Sequence, residues 1–129
     1  MVRLATRAVV CYHCRRGFNA AMQAMVLTCP HCYKPVKVSD IVVRKAHHAP
    51  RVETCGRIFV DRKGWISAGI VHAGEGMEIL GTLDARRVVA GPVVLGPRST
   101  WRGDLRAPSV HLEPGARVDA GFFEIGPEE

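Results

Sequence analysis

The chain has 129 residues, a formal charge of +6, 47% apolar residues and 23% charged residues, which is typical of a folded globular protein and excludes wholesale disorder. No apolar run approaches the ~18 residues that would span a membrane, since the longest, 88–95, is interrupted by Gly91 and Pro92. A secretion signal is not expected either, because Arg3 and Arg7 leave no long apolar segment before Cys11. We therefore expect a soluble cytoplasmic protein whose cysteines stay reduced.

The charge divides the chain into two parts. Residues 1–51 hold nine basic residues and one acid, Asp40, whereas residues 52–129 hold nine basic and eleven acidic residues. Four of the five cysteines lie in the first part, and most of the glycines lie in the second. The segment around Pro50 has little that could form a core and is typical of a linker. The sequence thus predicts a module at 1–45, a linker at 46–54, a second module at 55–126 and an acidic tail at 127–129.

The first module, 1–45, has the cysteine spacing of a zinc site. Cys11 and Cys14 form one CxxC pair, and Cys29 and Cys32 form another after fourteen intervening residues. Thiolates suit zinc, and two CxxC turns supply the four ligands of a tetrahedral structural site. Apolar strand-like runs at 4–10, 25–27 and 36–43 flank the pairs, so we predict a zinc ribbon with one structural Zn²⁺. Two disulfides, or four buried thiols without metal, are the alternatives.

Several residues near these cysteines have more than one interpretation. His13 and His31 lie inside the CxxC pairs and are expected to be exposed loop residues rather than ligands, and Cys55 is expected to be a small core residue. Four basic residues either offset the charge of a zinc–thiolate cluster or contact an anionic partner, which could be a nucleic acid or a membrane surface. They are Arg15, Arg16, Lys34 and Lys37. Few aromatic residues are near them for base stacking, so nucleic acid is the less favoured partner.

The second module, 55–126, is an internal repeat. Gly64, Gly81 and Gly103 each begin the pattern Gly-x-(Ile/Leu)-x-Ala-x-x-Val, and a degenerate copy begins at Gly121, so the copies are unevenly spaced. Periods of about 20 residues indicate a solenoid, and the alternation within each copy is that of a strand. We predict a mostly β chain whose second module is a short parallel β-helix of four or five coils. In this alignment the inward ladders are Ile66–Leu83–Leu105 and Ala68–Ala85–Ala107, and Asp84 stacks on Arg106.

The end of the repeat resembles a known family. The stretch 101–118, WRGDLRAPSVHLEPGARV, with its Pro114-Gly115-Ala116 corner, looks like the last coils of a bactofilin domain. The resemblance covers about 56–126. It implies a right-handed β-helix that serves as a cytoskeletal scaffold, polymerises end to end without nucleotide and often associates with membranes. Bactofilins usually have more coils, and they commonly have a disordered tail where this chain has the zinc ribbon.

The two ends of a β-helix expose unpaired strand edges and the apolar core, and natural solenoids cover them. At the N-terminal end the zinc ribbon is a candidate cap. At the C-terminal end Phe122, Phe123 and Ile125 are expected in an uncovered last coil, and they are the candidate self-association residues. Alternatively, the two phenylalanines fold back and plug that coil.

The sequence contains no nucleophile elbow, P-loop or dinucleotide-binding pattern, so we do not expect an enzyme. It predicts a cytoskeletal scaffold that self-assembles through the β-helix ends into filaments or oligomers, with the zinc ribbon contacting a protein partner or a membrane surface. The second hypothesis is an adaptor, in which the ribbon binds nucleic acid or a protein and the β-helix is a rigid stalk.

Overall fold

The computed structural model describes residues 6–21 and 23–126, and within them all helix or strand structure is β. The mostly β class is therefore confirmed, whereas the predicted acidic tail at 127–129 lies outside the described residues. The strands, in chain order, are β1 (Thr6–Val10), β2 (Gly17–Ala21), β3 (Val26–Thr28), β4 (Pro35–Lys37), β5 (Ile41–Val43), β6 (Ala46–Thr54), β7 (Arg57–Val60), β8 (Trp65–Ala73), β9 (Gly76–Ile79), β10 (Thr82–Ala90), β11 (Val93–Leu95), β12 (Thr100–Ala107), β13 (Val110–Leu112), β14 (Arg117–Ala120) and β15 (Phe123–Ile125).

The first four strands form two antiparallel hairpins, which we call the ribbon (6–21 and 23–39). β1 pairs with β2, and β3 pairs with β4. Each hairpin loop contains one CxxC pair, so the strands predicted before the two cysteine turns are present. The prediction of a single strand over 36–43 is wrong, because Ser39 and Asp40 lie between β4 and β5. In addition, β5 pairs with β7 and not with a strand of the ribbon.

The remaining strands build a parallel β-solenoid of about five coils. Each coil contributes a short strand to a sheet of order β13-β11-β9-β7-β5 and a long strand to a sheet of order β14-β12-β10-β8-β6, with β15 also paired to β12. Successive partners in the second sheet are Trp65, Thr82, Thr100 and Arg117, so the chain returns to the same position at nearly constant intervals. The predicted solenoid architecture is confirmed.

Each long strand turns a corner. In β8, Ile66 and Ala68 pack in the core, and so do Val71 and Ala73, so the inward alternation changes phase at Gly69. A Cβ atom on Gly69 would lie 3.0 Å from a backbone oxygen of the preceding coil, which explains the absence of a side chain at this corner. A coil therefore has three sides, one from its short strand and two from its long strand.

The predicted ladders are right for two coils and wrong for the third. Ile66 pairs with Leu83, but the next residue in this column is Trp101 and not Leu105. Leu105 instead pairs with Val88, in the column on the other side of the corner. Ala107, two residues further along, is displaced with it. The predicted charge pair is wrong for the same reason, because the partner of Asp84 in β12 is Arg102 rather than Arg106.

The segment 46–54 is not a linker but the first long strand of the solenoid. It is β6, which pairs in parallel with β8 from Ala46 opposite Trp65 to Thr54 opposite Ala73. Pro50 is tolerated because it lies on an edge strand, at the corner where the pairing skips one residue. The solenoid thus begins at Ile41, and the boundaries predicted at 45 and 55 are corrected accordingly.

Candidate metal centre and solenoid ends

The two cysteine loops have the same backbone geometry. In the first, the Cys11 amide donates to the Arg16 carbonyl at 3.0 Å, and the Arg15 amide donates to the Cys11 carbonyl at 2.9 Å. In the second loop, the Cys29 amide donates to the Lys34 carbonyl at 3.0 Å, and the Tyr33 amide donates to the Cys29 carbonyl at 2.9 Å. The loops are therefore two copies of one turn, each placed at the end of a hairpin.

The residue after the second cysteine of each pair has left-handed backbone geometry. Arg15 has a φ of 63° and Tyr33 a φ of 60°, a region that glycine adopts without steric cost and other residues rarely adopt. The residue types do not predict this backbone geometry, because neither residue is glycine. The only available signal is that both occupy the same position relative to a CxxC pair.

The four cysteine sulfurs converge from the two loops. The Sγ atoms of Cys11 and Cys32 are 3.8 Å apart, those of Cys14 and Cys29 are 3.7 Å apart, and all four lie within 4.8 Å of one another. A tetrahedron with zinc–sulfur bonds of about 2.3 Å has edges of about 3.8 Å. All four thiols are free, and each short contact joins one loop to the other. The residues thus fit a tetrahedral metal ion and not the alternative of two disulfides.

Backbone amides and burial act in opposite directions on the thiol pKa values. At Cys11, burial raises the pKa to about 12 despite amide hydrogen bonds from Cys14 and His13. At Cys29, burial also disfavours the thiolate, but amides of Cys32 and His31, together with the neighbouring thiols, outweigh it and lower the pKa to about 6. A divalent cation at the centre of the cluster would favour the thiolate at every position.

The two histidines inside the CxxC pairs lie outside the thiol cluster, as predicted. Both are exposed, and their amides donate to the first sulfur of their own pair, from His13 at 3.3 Å and from His31 at 3.4 Å. The His31 ring also contacts the Gly17 carbonyl through Nε2 at 3.0 Å, which links the second loop to the end of the first. Their role is therefore in loop structure.

Cys55 joins the solenoid to the ribbon. It is fully buried, as predicted for a small core residue, but it packs in the cluster of Val9, Val36 and Val38 of the ribbon rather than in the solenoid core. Burial raises the pKa of its thiol to about 11, although the Tyr12 amide hydrogen bonds to it. A thiol in this position is a packing group at neutral pH.

A partly buried arginine reinforces the same junction. The Arg7 guanidinium donates to the Val38 carbonyl, and it forms ion pairs with Glu75 at 3.4 Å and with Asp40 at 3.6 Å. Glu75 belongs to the solenoid, so one side chain of β1 ties the first hairpin to a corner of the second coil. The ribbon is therefore attached to the flank of the solenoid and not merely tethered to it.

The four predicted anionic-contact residues are all exposed, but they lie in different settings. Arg15 borders a groove of about 260 Å³ between the first cysteine loop and the solenoid, where His72 and Gly91 form part of the opposite wall. Lys37 is the last residue of β4, and its carbonyl accepts a hydrogen bond from the Cys55 amide where the ribbon meets the solenoid. Arg16 and Lys34 accept the loop-closing hydrogen bonds through their carbonyls.

The three predicted self-association residues lie in or beside β15. Phe122 is 80% exposed and Ile125 is 55% exposed. Phe123 is partly buried, because it stacks on Leu105 in the inward column and its ring meets Trp101 edge-on at 5.8 Å. The alternative of an aromatic plug therefore describes Phe123 but not Phe122.

Two further apolar residues of the last coil were missed by the sequence reasoning. Leu112 is 53% exposed although it continues the inward column of Leu95, and Val118, also exposed, continues the column of Trp101. The sequence predicts Leu112 as an inward residue but not as part of the exposed face, and the correct register would also have marked Val118 as an inward position with no described coil beyond it. The C-terminal face of the solenoid is thus more extensively apolar than predicted.

Comparison with protein-family models, with curated proteins and with solved structures finds no significant match. In the part of the chain that is described, no helix is long and apolar enough to cross a membrane. The features of the molecule that bear on its function are therefore the thiol cluster and the two ends of the solenoid.

Proposed function

We propose that this protein is a non-enzymatic structural scaffold that self-associates through the C-terminal face of its solenoid and presents a structural zinc ribbon. The observation that carries this proposal is the last coil of the described residues, in which Leu112 and Ile125 are more than half exposed although they continue inward columns, with Phe122 80% exposed beside them. Contiguous exposed apolar surface usually marks an interaction site, and unpaired strand edges favour pairing with another chain.

The proposed metal is Zn²⁺, one per chain, held by Cys11, Cys14, Cys29 and Cys32. Four sulfur donors in a near-tetrahedral arrangement suit zinc and leave no open coordination position, which supports a structural rather than a catalytic ion. A hairpin pair of this size has a small core, and metal binding of about 10 kcal/mol commonly provides the missing folding energy.

The sequence resemblance to bactofilins supports a cytoskeletal type of scaffold, and a β-solenoid of about five coils is consistent with it. A cytoplasmic location, and contact of the ribbon with a membrane surface or another protein, are parts of the same proposal. Light scattering and negative-stain microscopy of the purified protein test it. Ordered oligomers or filaments are expected, whereas a monodisperse monomer at all concentrations would contradict self-association.

The most direct probe of the face is Ile125→Asp, because Ile125 continues the inward column of Ala107 and is 55% exposed, so its replacement should weaken association while changing the unfolding transition little. Phe122→Asp tests the outer rim, because Phe122 is 80% exposed and lines a groove with Asp104, Arg106 and Glu124. Phe123→Asp is a less selective probe, because Phe123 packs against Trp101 and its loss also weakens the fold. An unchanged oligomer in Phe122→Asp would show that this part of the face is not in the interface.

A second candidate function is supported by the ribbon surface. The described part of the ribbon contains no acid and exposes four basic residues, Arg15, Arg16, Lys34 and Lys37, and Tyr33 is 78% exposed beside Lys34. An exposed aromatic ring among cations is suited to single-stranded nucleic acid. Binding of a fluorescent oligonucleotide that weakens steeply with salt, and that Tyr33→Ala reduces, would support the adaptor. Binding unaffected by Tyr33→Ala would remove its structural basis.

A further inference from the structure

We infer that metal binding at the four cysteines controls whether the ribbon covers a strand edge of the first solenoid coil, and that Tyr12 is the positioning residue that connects the two. This inference rests on the proposed zinc site and gives that site a role beyond folding the ribbon. It is independent of self-association through the C-terminal face. The contacts that carry it all lie at the junction between the first cysteine loop, the end of β4 and the first two coils.

The end of β4 takes the place of a preceding coil beside the end of β6. In a later coil, the residue after the long strand donates its amide to the coil before it, as Gly91 does to the Ala73 carbonyl at 2.9 Å. In the first coil, the equivalent residue is Cys55, and its amide donates to the Lys37 carbonyl at 2.7 Å. At this position the ribbon therefore supplies the neighbour that later coils supply for one another.

Side chains hold the next segment, 38–40, against the same edge. The Thr54 hydroxyl donates to the Ser39 carbonyl, and the Asp40 carboxylate accepts the Arg57 amide at 3.0 Å. The end of β6 and the start of β7 are thus covered together. Because an unpaired strand edge readily pairs with another extended chain, this edge is available for such pairing only when the segment has moved away.

Tyr12 lies between the cysteine cluster and the covered edge. It directly follows Cys11, it is partly buried, and it packs against the apolar cluster of the ribbon. Its hydroxyl accepts a hydrogen bond from the Lys37 amide at 2.9 Å, and its own amide hydrogen bonds to the Cys55 thiol. Lys37 is therefore held by Tyr12 through its amide and by Cys55 through its carbonyl.

The Tyr12 ring also reaches the second coil, where its centroid lies 5.8 Å from that of His72 in β8. The second cysteine loop has no such contact among the described residues, since its equivalent position is Pro30, which is exposed, and its tyrosine, Tyr33, is 78% exposed. The two loops share one backbone geometry, but the first loop is the one whose aromatic residue packs against the solenoid.

The position of Tyr12 depends on the metal because Cys11 and Cys14 enclose it in the chain. The ribbon core behind this loop consists of cysteines and a few small aliphatic residues, and a module with so small a core commonly folds only when its metal is bound. The solenoid has a separate apolar core, which does not include the four cysteines. Loss of the metal should therefore release 37–40 from the edge while the coils stay folded.

Hydrogen exchange of the full chain tests the inference, with mass spectrometry of the zinc-loaded protein and of the protein after chelation under reducing conditions. The amides of Cys55 and Arg57 donate to the segment 37–40, so their exchange should become about 10-fold faster or more after chelation. The Gly91 amide, at the position equivalent to Cys55 two coils later, should change by less than about 2-fold.

Tyr12→Ala and Tyr33→Ala are the matched variants, because each removes one of the two tyrosines of the chain from a cysteine loop. With one equivalent of zinc bound, the Cys55 amide of Tyr12→Ala should exchange as fast as in the chelated wild-type chain, whereas Tyr33→Ala should keep the wild-type protection. If Tyr12→Ala fails to bind zinc, Tyr12→Phe replaces it. This variant keeps the ring and loses the hydrogen bond to the Lys37 amide, so a smaller loss of protection at full zinc content is expected.

The possible outcomes separate the coupling from the zinc site. Unchanged exchange of Cys55 and Arg57 after chelation would overturn the coupling and keep the zinc site. Equal acceleration in all coils would also overturn the coupling, because the effect would then not be confined to the junction. Equal exchange in the Tyr12 and Tyr33 variants would remove Tyr12 as the connection. Less than about half an equivalent of zinc per purified chain would overturn both the zinc site and the coupling.

Discussion

Replacement of Trp101 by phenylalanine tests the register of the coils. Trp101 is fully buried between the columns of neighbouring coils, and its indole Nε1–H donates to the Gly103 carbonyl at 2.9 Å. Loss of this bond should cost about 1–3 kcal/mol, since a largely buried acceptor loses its partner. The smaller side chain also lacks two buried carbons, at about 0.8 kcal/mol each, in addition to the indole nitrogen. We therefore expect the free energy of unfolding to fall by about 3–5 kcal/mol.

Urea unfolding followed by circular dichroism, with zinc present throughout, measures the effect. With a slope of about 2 kcal/mol per molar urea, the midpoint should move by about 2 M. Trp65→Phe is the matched control, because Trp65 is the other tryptophan and is exposed, so its replacement should change stability by less than about 0.5 kcal/mol. Equal effects of the two substitutions would refute the register, because it places Trp101 in an inward column with Leu83 and leaves Trp65 in the exposed column of Thr82.

Three other predictions concern single positions. Gly103→Ala should destabilise the protein by about 2–4 kcal/mol, because Gly103 has a φ of +143° and an added Cβ would overlap the preceding coil. Gly126→Ala is the control, because Gly126 has a φ of +156° but open space around it, and it should lower the free energy of unfolding much less in the same urea assay. Cys14→Ser should reduce bound zinc well below one equivalent by elemental analysis, whereas Cys55→Ser should leave one equivalent in place. Tyr33→Gly should stabilise the zinc-loaded ribbon by up to about 1 kcal/mol, since glycine relieves the left-handed backbone; a lower melting temperature would contradict this explanation.

The solenoid was predictable from the sequence, but the pairing of its fourth coil, which contains β12, was not. The long strands β8 and β10 each contain the short pattern apolar-x-Ala twice, as in Leu83-Asp-Ala85 and Val88-Val-Ala90, once on each side of the corner, whereas β12 contains it only once, at Leu105-Arg-Ala107. The copy beginning at Gly103 was matched to the first occurrence and belongs to the second. The long spacing between this copy and the one before it is therefore one full coil plus the distance between the two occurrences.

The linker at 46–54 was predicted wrongly for a related reason. A strand at the edge of the solenoid has one unpaired side, so it tolerates Pro50 and exposes His47 and His48, which together resemble a loop in sequence. Local composition cannot distinguish such an edge from a connection. Only the pairing of Val52 with Val71, about one coil away, reveals it.

The thiol cluster was the most predictable part of the site, because CxxC spacing determines the geometry of each loop almost by itself. The junction behind it was not predictable. Cys55 has no CxxC partner, and Arg7 reaches Glu75 across 68 positions of sequence, so no local pattern marks either residue. Contacts of this kind depend on how the two modules pack together, and the periodicity within each module carries no information about that packing.

The regular return of the chain to the same three sides has a consequence for how such a protein can vary. Insertion of one further coil between β10 and β11 would lengthen the rod by about 4.8 Å and leave the residues at both ends unchanged. The distance between the ribbon and the C-terminal face can therefore change in steps of one strand spacing. The number of coils in the rod and the residues at its two ends can therefore vary independently of each other.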